Sequence, residues 1–255
     1  MSQESLINAA RQELIAAHDA LVKELAGDKT RKRGALNRQV HEVRQMLDRR
    51  YTYASQAGQD VVVDRVFDRK RGGTFVDVGG YDGVTGSNSI FFEQWRGWTG
   101  VLVEPVAQHL EHAMTVRRCP CLGYAVAPTD GEAEFIAVTK GFTQMSGLSD
   151  SYDPKMLERV RADPRHAETV LKVPTKTLSS ILNEAGIVHP DFVSLDIEGG
   201  ELSVLEGFNF LDHRVGAWAI ENNSGTPDIA KLMNSQGYEL IELCGPDEIY
   251  IRRNH

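Results

Sequence analysis

Cysteine is scarce in this sequence, with three residues among 255. A small and odd number of thiols argues against a disulfide framework and fits a reducing compartment. No apolar run approaches the roughly 20 residues that span a bilayer. The first residues also lack the basic and apolar stretches of a secretory signal. These absences predict a cytoplasmic protein without a transmembrane segment.

Positive charge is also in short supply, because 28 Lys and Arg residues face 36 Asp and Glu residues, for a formal net charge of -8. Such a balance disfavours broad contact with a phosphate backbone, so no nucleic-acid partner is expected. The hydrophobic content of 41% and the charged content of 25% are ordinary for a globular protein. The length allows one large domain, or one domain with an appendage.

Residues 1–50 contain neither proline nor an aromatic residue, unlike the rest of the chain. Apolar residues recur there every three or four positions: Ile7, Ala10, Leu14, Ala17, Leu21 and Leu25, then Leu36, Val40, Val43 and Leu47. This period predicts two amphipathic helices, interrupted at Gly27 and Gly34. The apolar stripes need a partner, which is either the remaining domain (51–255) or a second copy of the chain. We expect the second copy, and therefore a homo-oligomer.

From Thr74 onward, apolar strands alternate with helical segments, a pattern typical of βαβ units in a parallel sheet. The predicted strands are 74–78, 100–104, 121–126, 133–138, 191–197 and 215–221, and the predicted helices are 87–96, 106–116, 177–185, 200–207 and 227–235. Alternating residues on both sides of a Gly-Pro-Asp turn at 245–247 predict a closing β-hairpin. Residues 139–170 show no clear period and are predicted to be a functional loop or lid.

Two predicted strands end in an acid at the same edge of the sheet. Residues 74–83 read Thr-Phe-Val-Asp-Val-Gly-Gly-Tyr-Asp-Gly, and residues 101–105 read Val-Leu-Val-Glu-Pro. Ligands of open α/β sheets bind beyond the carboxyl ends of the strands. Glycines let the backbone approach such a ligand closely, and an acid on the second strand can accept both hydroxyls of a ribose. The pair of motifs therefore predicts a nucleoside site.

The glycine loop does not have the G-x-G-x-x-G order of a dinucleotide fingerprint, and it carries Asp77 and Asp82. Acids there repel a pyrophosphate and suit a cationic ligand, so S-adenosylmethionine is favoured over NAD. An NAD(P)-dependent sugar oxidoreductase or epimerase is the alternative enzyme class. A non-catalytic subunit that keeps the cofactor fold is a third hypothesis, against which the intact set of Asp77, Gly79, Glu104 and Asp196 argues.

Four motifs in this order resemble those of the FkbM family of S-adenosylmethionine-dependent O-methyltransferases. They are Ser-Gln-Ala-Gly-Gln-Asp at 55–60, the glycine loop at 75–83, Gly-Val-Leu-Val-Glu-Pro at 100–105, and Ser-Leu-Asp-Ile-Glu-Gly-Gly-Glu at 194–201, which runs on to Leu-Glu-Gly at 205–207. The resemblance covers roughly residues 54–253 and leaves residues 1–50 outside. Departures from the family pattern are Gln59 in place of Glu, and Gly80 and Asp82 where Ala and Asn are commoner.

The resemblance implies a Rossmann-like class I methyltransferase sheet, mostly parallel with an antiparallel C-terminal hairpin, and the helical segment as an N-terminal extension. It implies methyl transfer to a hydroxyl of a sugar, a glycan or a glycosylated natural product. The implied cofactor-binding residues are Gln56, Asp60, Asp77, Gly79, Gly80, Tyr81, Asp82, Gly83, Ser89, Glu104, Pro105, Ala125 and Asp196.

The hydroxyl must be activated by a base or a metal ion. Asp196 ends the fourth strand, and Glu221 and Asn222 end the fifth, so we expect these three side chains to converge. Two carboxylates and an amide oxygen suit Mg²⁺ or Ca²⁺. The triplet is similar to that of catechol O-methyltransferase-like enzymes, except that Gly199 stands where those enzymes carry a lysine base. A metal-free site in which Asp196 accepts the substrate hydroxyl is an equal alternative.

Because that lysine is absent, the base must come from another residue, and the candidates are Glu198, Glu201 and His189. Glu201 has a second interpretation as an acid at the amino end of a helix. His109, on the helix after the second strand, is interpreted as part of an exposed polar face. Residues 145–148 either line the substrate pocket or form a plain loop.

Overall fold

A computed structural model describes residues 2–253 of the chain. Its first two helices are α1 (Gln3–Gly27) and α2 (Lys32–Leu47), which form an antiparallel hairpin. Near the turn, the Arg33 guanidinium donates to the Leu25 carbonyl oxygen at 2.7 Å. Gly34 lies inside α2, so the sequence-based prediction of a helix break there was wrong. Within the described chain, no helix has the length and apolar character that crossing a membrane requires.

Helix α2 packs on the larger of the two sheets through residues that the sequence pattern marked as apolar. Leu36 and Val40 are buried. The Gly34 carbonyl oxygen accepts the Gly245 N–H at 2.9 Å. A Cβ atom at Gly34 would lie 2.1 Å from the Gly245 carbonyl oxygen, so the helix could not approach this closely with any other residue. The first unit of the chain is therefore joined tightly to the sheet at the Gly245 turn.

The central sheet has seven strands. They are β1 (Thr74–Val78), β2 (Thr99–Val103), β3 (Cys121–Leu122), β8 (Phe192–Leu195), β9 (Ala217–Glu221), β10 (Tyr238–Cys244) and β11 (Asp247–Arg252). Their order is β10-β11-β9-β8-β1-β2-β3. The strand β11 runs antiparallel to both neighbours, and the pairs from β9 to β3 are parallel. The predicted class I methyltransferase architecture, with its antiparallel C-terminal hairpin, is confirmed.

Helices cover both faces of this sheet. The remaining ones are α3 (Gln59–Val66), a π-helical turn (Phe92–Arg96), α4 (Ala107–Val116), α5 (Pro154–Arg161), α6 (Leu178–Glu184), α7 (Glu201–Glu206) and α8 (Asp228–Ser235). Alternate residues of β1 enter opposite cores, because successive side chains of a strand point to opposite faces. Phe75 packs with Phe92 and Phe192 on one face, whereas Val76 packs on the other face in the core that contains Trp218.

A second sheet lies at the carboxyl edge of the first. Its strands are β4 (Ala125–Val126), β5 (Gly131–Lys140), β6 (Gly147–Leu148) and β7 (Ala167–Lys176), in the order β4-β7-β5-β6. The sequence predicted one strand over 121–126, but the structure divides this segment between the two sheets. Residues 139–170, predicted to be a loop, contain β6, α5 and the start of β7. The β7 strand forms because it pairs along its length with β5, a contact that local periodicity does not reveal.

Candidate active site

A pocket lies where the carboxyl ends of β1, β2, β8 and β9 meet, and the second sheet closes its other side. It encloses about 1070 Å³ of empty space, counted out to its open mouth. The predicted site residues that line it are Gln56, Asp77, Gly79, Gly80, Tyr81, Glu104, Pro105, Ala125, Asp196, Glu198 and Glu221. Four strands that are distant in sequence thus bring most of the predicted residues to one place.

The glycine loop after β1 is held against both neighbouring strand ends. The N–H groups of Gly79 and Gly80 donate to the Val103 carbonyl oxygen at 3.0 and 3.1 Å. Gly79 has φ +78°, and a Cβ atom there would lie 1.7 Å from the carbonyl oxygen of Asp196. Only glycine fits such a position, so Gly79 lets the loop pack against the end of β8, and Gly79 and Gly80 line the pocket.

Glu104 ends the next strand and is buried, with both carboxylate oxygens oriented by the backbone. Its Oε2 accepts the Tyr81 N–H at 3.0 Å, and its Oε1 accepts the Val106 N–H at 2.8 Å. Each oxygen keeps a further acceptor site for a ligand hydroxyl. This arrangement fits the predicted contact with ribose.

His109 was missed by the sequence-based interpretation, which placed it on an exposed polar face. It lines the pocket, and its ring centroid lies 4.2 Å from that of Tyr81. Its Nδ1 is 3.8 Å from Glu104 Oε1. The interpretation was wrong because α4 starts directly beyond β2 and turns its first inward position toward Glu104. A polar residue five positions after the ribose acid was the available signal.

Asp77 is also buried, and its charge is balanced from below the pocket. Its Oδ2 accepts hydrogen bonds from the hydroxyls of Ser87 and Ser89. An Arg117 guanidinium nitrogen lies 3.5 Å away, and the same guanidinium donates to Glu93 at 3.0 Å. The predicted cofactor residue Ser89 therefore supports Asp77 from beneath and does not line the pocket. The role of Arg117 was not predicted.

The structure places two further predicted cofactor residues, Asp60 and Gly83, away from the pocket. Asp60 is buried away from the pocket and accepts the N–H groups of Ala54, Ser55 and Val61, so it organises the loop that carries Gln56. A Cβ atom at Gly83 would press on Arg117 and Ala113, which shows that Gly83 packs on α4 and not on a ligand.

Asp82 faces the loop that follows it and does not line the cofactor pocket. Its Oδ1 accepts the N–H groups of Val84 and Thr85 at 2.9 and 2.7 Å, and its Oδ2 accepts the Thr85 hydroxyl at 2.6 Å. A short polar side chain that bonds the following backbone closes the turn. The predicted contact between Asp82 and a cationic cofactor was therefore wrong.

The other half of the pocket contains a carboxylate cluster, which we define as Asp196, Glu198 and Glu221. One oxygen of each lies within 4.8 Å of the others. Glu198 and Glu221 are buried, Asp196 is partly open to the pocket, and Glu198 has the strained φ of +62°. Glu221 Oε2 has no hydrogen-bond partner in residues 2–253. Uncompensated carboxylates at this separation call for a cation or a proton.

The raised pKa values of the cluster also indicate that it needs a cation or a proton. Burial, together with the charges of Asp247 and Glu201, raises the pKa of Asp196 to about 8. Burial and the neighbouring Asp196 raise the pKa values of Glu198 and Glu221 well above their usual range. Without a bound cation, the cluster therefore retains protons near neutral pH.

Asn222 does not join this cluster. It follows Glu221 at the end of β9, and successive side chains of a strand point to opposite faces. Its Nδ2 donates to Glu248 Oε1 at 2.8 Å and to the Thr226 carbonyl oxygen at 2.9 Å. Of the three predicted metal-binding residues, Asp196 and Glu221 come together, Asn222 does not, and Glu198 lies beside the first two instead.

His189 lies at the opposite edge of the sheet from the pocket. It precedes β8, where the neighbouring Asp191 accepts the N–H of Thr74 at the start of β1. The His189 ring is exposed, and its Nδ1 accepts the Arg214 N–H at 3.2 Å. Residues before a parallel strand cannot reach a site beyond its other end, so His189 is excluded as the base.

Glu201 is the first residue of α7, and its Oε1 accepts the N–H groups of Ile197 and Gly199 at 3.0 and 3.2 Å. It serves the amino end of this helix, which is the second of the two interpretations considered from the sequence. The carboxylate thereby holds the turn that carries Glu198 into the pocket.

The loop between β5 and β6 forms the outer wall of the pocket, with Thr143, Gln144, Met145 and Ser146 among its lining residues. The Tyr81 and Thr143 hydroxyls are hydrogen-bonded at 2.7 Å, which ties this wall to the glycine loop. The Tyr152 hydroxyl donates to the Met145 carbonyl oxygen at 2.6 Å. Of the two interpretations for residues 145–148, the structure supports the one in which they line the pocket.

The residues of the pocket fit S-adenosylmethionine. Asn88 lines the pocket, and its buried side-chain Oδ1 has no partner in the described chain. The bare backbone of Gly79 and Gly80 and the acceptor sites of Glu104 suit an adenosyl moiety. No Lys or Arg lines the pocket in residues 2–253, which disfavours the pyrophosphate of NAD.

Comparisons with known proteins give a family and several similar structures. Residues 77–240 match the methyltransferase FkbM domain. A search of curated proteins found no match. Similar solved structures include the methyltransferase FkbM from Methylobacillus flagellatus KT, with 15% identity, a TM-score of 0.45, and coverage of 95% of this chain and 60% of that chain. This chain thus spans 60% of the length of that protein.

Two other similar structures are bacterial methyltransferases. A TehB-like SAM-dependent methyltransferase from Corynebacterium glutamicum has 11% identity and a TM-score of 0.36, covering 77% of this chain and 88% of that chain. A putative class I S-adenosylmethionine-dependent methyltransferase from Listeria monocytogenes has 8% identity and a TM-score of 0.35, covering 86% of this chain and 69% of that chain.

Proposed function

The chain belongs to the FkbM methyltransferase family, and from that premise we propose that it methylates a hydroxyl of a sugar, a glycan or a glycosylated natural product with S-adenosylmethionine. The observation that carries this proposal is the carboxylate cluster at the ends of β8 and β9, beside the glycine loop. A hydroxyl placed there meets groups that can take its proton or hold a cation.

The chain's own residues have distinct tasks toward the cofactor, which supplies an electrophilic methyl group on a sulfonium. Glu104 would accept the ribose hydroxyls, because two backbone N–H groups already hold its carboxylate in place. Gly79 and Gly80 would let the ligand approach the backbone. Such positioning can lower a barrier by roughly 7–11 kcal/mol.

The carboxylate cluster would activate the acceptor. A free hydroxyl is a poor nucleophile near neutral pH, so it needs a base or a cation. We propose that Asp196, Glu198 and Glu221 hold Mg²⁺ or Ca²⁺, whose preferred ligands are oxygens. A cation held there would lower the pKa of the hydroxyl and relieve the repulsion within the cluster. In a metal-free enzyme, a carboxylate of the cluster would accept the hydroxyl proton.

We also propose that α1 mediates self-association. None of its residues is buried within the described chain, and it exposes Ile7, Ile15 and Val22 with relative accessibilities of 68%, 37% and 37%. Light scattering of an Ile7→Glu, Ile15→Glu variant is the test. A variant that keeps the oligomeric state of the wild type would show that α1 serves only α2. The cytoplasmic location stays a prediction from cysteine usage.

The first experiment on the main proposal measures ligand binding and then turnover. We expect calorimetry to show binding of S-adenosylmethionine and S-adenosylhomocysteine, and we expect release of S-adenosylhomocysteine with a member of a glycan panel. Binding without any methylated glycan would refute the acceptor class, whereas absence of adenosyl binding would refute the enzyme proposal. Exhaustive chelation followed by return of Mg²⁺ or Ca²⁺ separates the metal-dependent version from the carboxylate base.

A further inference from the structure

The charged side chains that line the pocket are almost all acidic. Five carboxylates line it: Asp77, Glu104, Asp196, Glu198 and Glu221. Among the described residues that line it there is no Lys or Arg, and His109 is the one basic side chain. Its ring already lies against Tyr81, with Nδ1 3.8 Å from Glu104. An acceptor that enters this space meets carboxylates on both sides.

Nearby cations are committed elsewhere and cannot turn toward an acceptor. The Arg117 side chain is fully buried between Asp77 and Glu93. Arg31 is paired with the buried Glu248, behind the strand end that carries Glu221. Below the cluster lies Asp247, whose Oδ2 accepts hydrogen bonds from the amides of Gln59 and Asn88 at 3.0 and 3.5 Å and has no basic partner among residues 2–253.

Two buried oxygens of residues that line the pocket lack a hydrogen-bond partner among the described residues. Glu221 and Asn88 are 7% and 8% exposed, and Glu221 Oε2 and Asn88 Oδ1 have no hydrogen-bond partner in the described part of the chain. Asn88 Oδ1 only accepts hydrogen bonds, and Glu221 Oε2 only accepts them when Glu221 is ionised. In those states neither atom can bond to a phosphate or a carboxylate oxygen.

The acidic excess remains after the cofactor and a metal are counted. S-adenosylmethionine carries one net positive charge, and a divalent cation carries two. Together they supply three positive charges, whereas five carboxylates line the pocket and Arg117 already compensates only one of them, Asp77. Charges interact strongly at short range in a partly buried site, so an anionic group still meets net repulsion there.

The outer wall of the pocket supports the same class of ligand. Thr143, Gln144 and Ser146 offer hydroxyl and amide groups, while Phe135 and Leu148 offer apolar surface. A mixture of uncharged polar and apolar groups matches a sugar ring, which has hydroxyl edges and apolar faces.

Resting on the proposed function, we propose that the acceptor is uncharged or cationic in the part that enters the pocket. Neutral sugars and amino sugars are accepted, and sugars bearing a phosphate or a carboxylate on the same ring are rejected. Glu198, held in the pocket by its turn, is a determinant of this selectivity.

The test uses the full chain loaded with S-adenosylhomocysteine and matched sugars on the gluco, galacto and manno rings. Each series contains the methyl glycoside, the 2-amino sugar, the uronate and the 6-phosphate, and saturation-transfer NMR titrations give their affinities. In the series that binds, we expect the neutral and amino members to bind at least tenfold more tightly than both anionic members. Equal or tighter binding of an anionic member would overturn the proposal, as would failure of every sugar to bind.

A matched pair of variants tests whether charge is the cause. Glu198→Gln removes one ionisable carboxyl group from the pocket, and Glu206→Gln removes one from the exposed end of α7. We expect Glu198→Gln to reduce the discrimination against the uronate at least threefold and Glu206→Gln to leave it unchanged. If Glu198→Gln fails to bind S-adenosylhomocysteine, Glu221→Gln takes its place. Discrimination that is the same in all variants would overturn the proposal. Absence of S-adenosylhomocysteine binding by the wild type would instead refute the proposed function.

Discussion

The two halves of the pocket treat a buried carboxylate in opposite ways. On the cofactor side, Glu104 receives a backbone N–H on each oxygen. On the acceptor side, Glu221 leaves one oxygen without a partner in residues 2–253, and Glu198 has one long contact, 3.4 Å, from the Asn223 amide. Buried acids that are already hydrogen-bonded bind neutral hydroxyls, whereas unsatisfied acids need a cation, a proton or a donor to be stable. The comparison supports the proposal in which the first half recognises the cofactor and the second half activates the acceptor.

Asp77 lies between these halves, and its buried charge is compensated in a third way. Two serine hydroxyls and the fully buried Arg117 compensate its charge from below. The carboxylate cluster has no comparable cation among the described residues. The absence of an internal counter-ion, and not burial alone, therefore distinguishes the acceptor side.

The largest effect is expected from Asp196→Asn, which removes a charge from the acceptor side while keeping the shape. We expect kcat to fall by about 100- to 10,000-fold, the usual range for loss of a positioned acid or base. Affinity for S-adenosylhomocysteine, measured by calorimetry, should change little. Methyl transfer that survives this variant would show that the cluster is not the reaction centre.

A smaller loss is expected on the cofactor side from Glu104→Ala. Hydrogen bonds to a charged group contribute about 1.5–3 kcal/mol, so calorimetry should show S-adenosylmethionine binding weakened by about 10- to 150-fold. Glu111→Ala, on the exposed face of α4, is the matched control for lost negative charge. Equal affinities in the two variants would contradict the assignment of Glu104 to the ribose.

The free energy of unfolding should depend on pH because the carboxylates on the acceptor side of the pocket have raised pKa values. Asp196 has a folded pKa of about 8, far above the unfolded value of about 3.9, so the folded state binds more protons between pH 4 and 8. The free energy of unfolding should therefore fall as pH rises through this window. Asp60 and Asp247, whose pKa values burial raises to about 6, contribute in the same direction. His41, whose pKa burial lowers, opposes them around pH 6.5.

The contribution of the cluster can be isolated by comparing the wild type with a Glu198→Gln, Glu221→Gln variant. Denaturant titrations at pH 5 and pH 8 should show the wild type losing on the order of 2 kcal/mol more than the variant. If the cluster holds a metal, Mg²⁺ or Ca²⁺ should restore the stability that the wild type loses at pH 8. Parallel pH profiles would contradict the raised pKa values.

The smallest effect is expected from Tyr81→Phe, which cuts the hydrogen bond between the glycine loop and the outer wall. Its loss should cost about 0.5–1.5 kcal/mol, seen as a faster dissociation of S-adenosylhomocysteine in stopped-flow measurements. Thr143→Val removes the other hydroxyl and should give a similar rate, and the double variant should add little. Additive effects would show that the two hydroxyls act separately.

The central sheet and the cofactor motifs were predictable from the sequence because their signals are local. Alternating strands and helices, a Gly-Pro-Asp turn and an acid after an apolar run can each be recognised within about ten residues. The support beneath Asp77 was not predictable, since Arg117 comes from forty residues farther along the chain. The β7 strand likewise depends on pairing with distant β5.

The errors at the site have equally specific causes. Asp77 and Asp82 look equivalent in sequence, but the backbone after Tyr81 turns Asp82 toward Val84 and Thr85. The replacement of Asn222 by Glu198 depends on which face a strand-end residue occupies and on the positive φ of a single residue. Periodicity describes regular elements well and describes the turns between them poorly.

The close contact between Gly34 and Gly245 makes α2 part of the same structural unit as the sheet. Composition changes at about residue 50, but the Arg31–Glu248 pair and the Gly34–Gly245 hydrogen bond cross that line. A chain cut at Tyr51 would lose α2 and expose the strand ends behind Glu221, so its behaviour would say little about assembly. The unit that keeps these contacts begins near Asp28, and leaving out α1 would remove only the helix to which self-association is assigned.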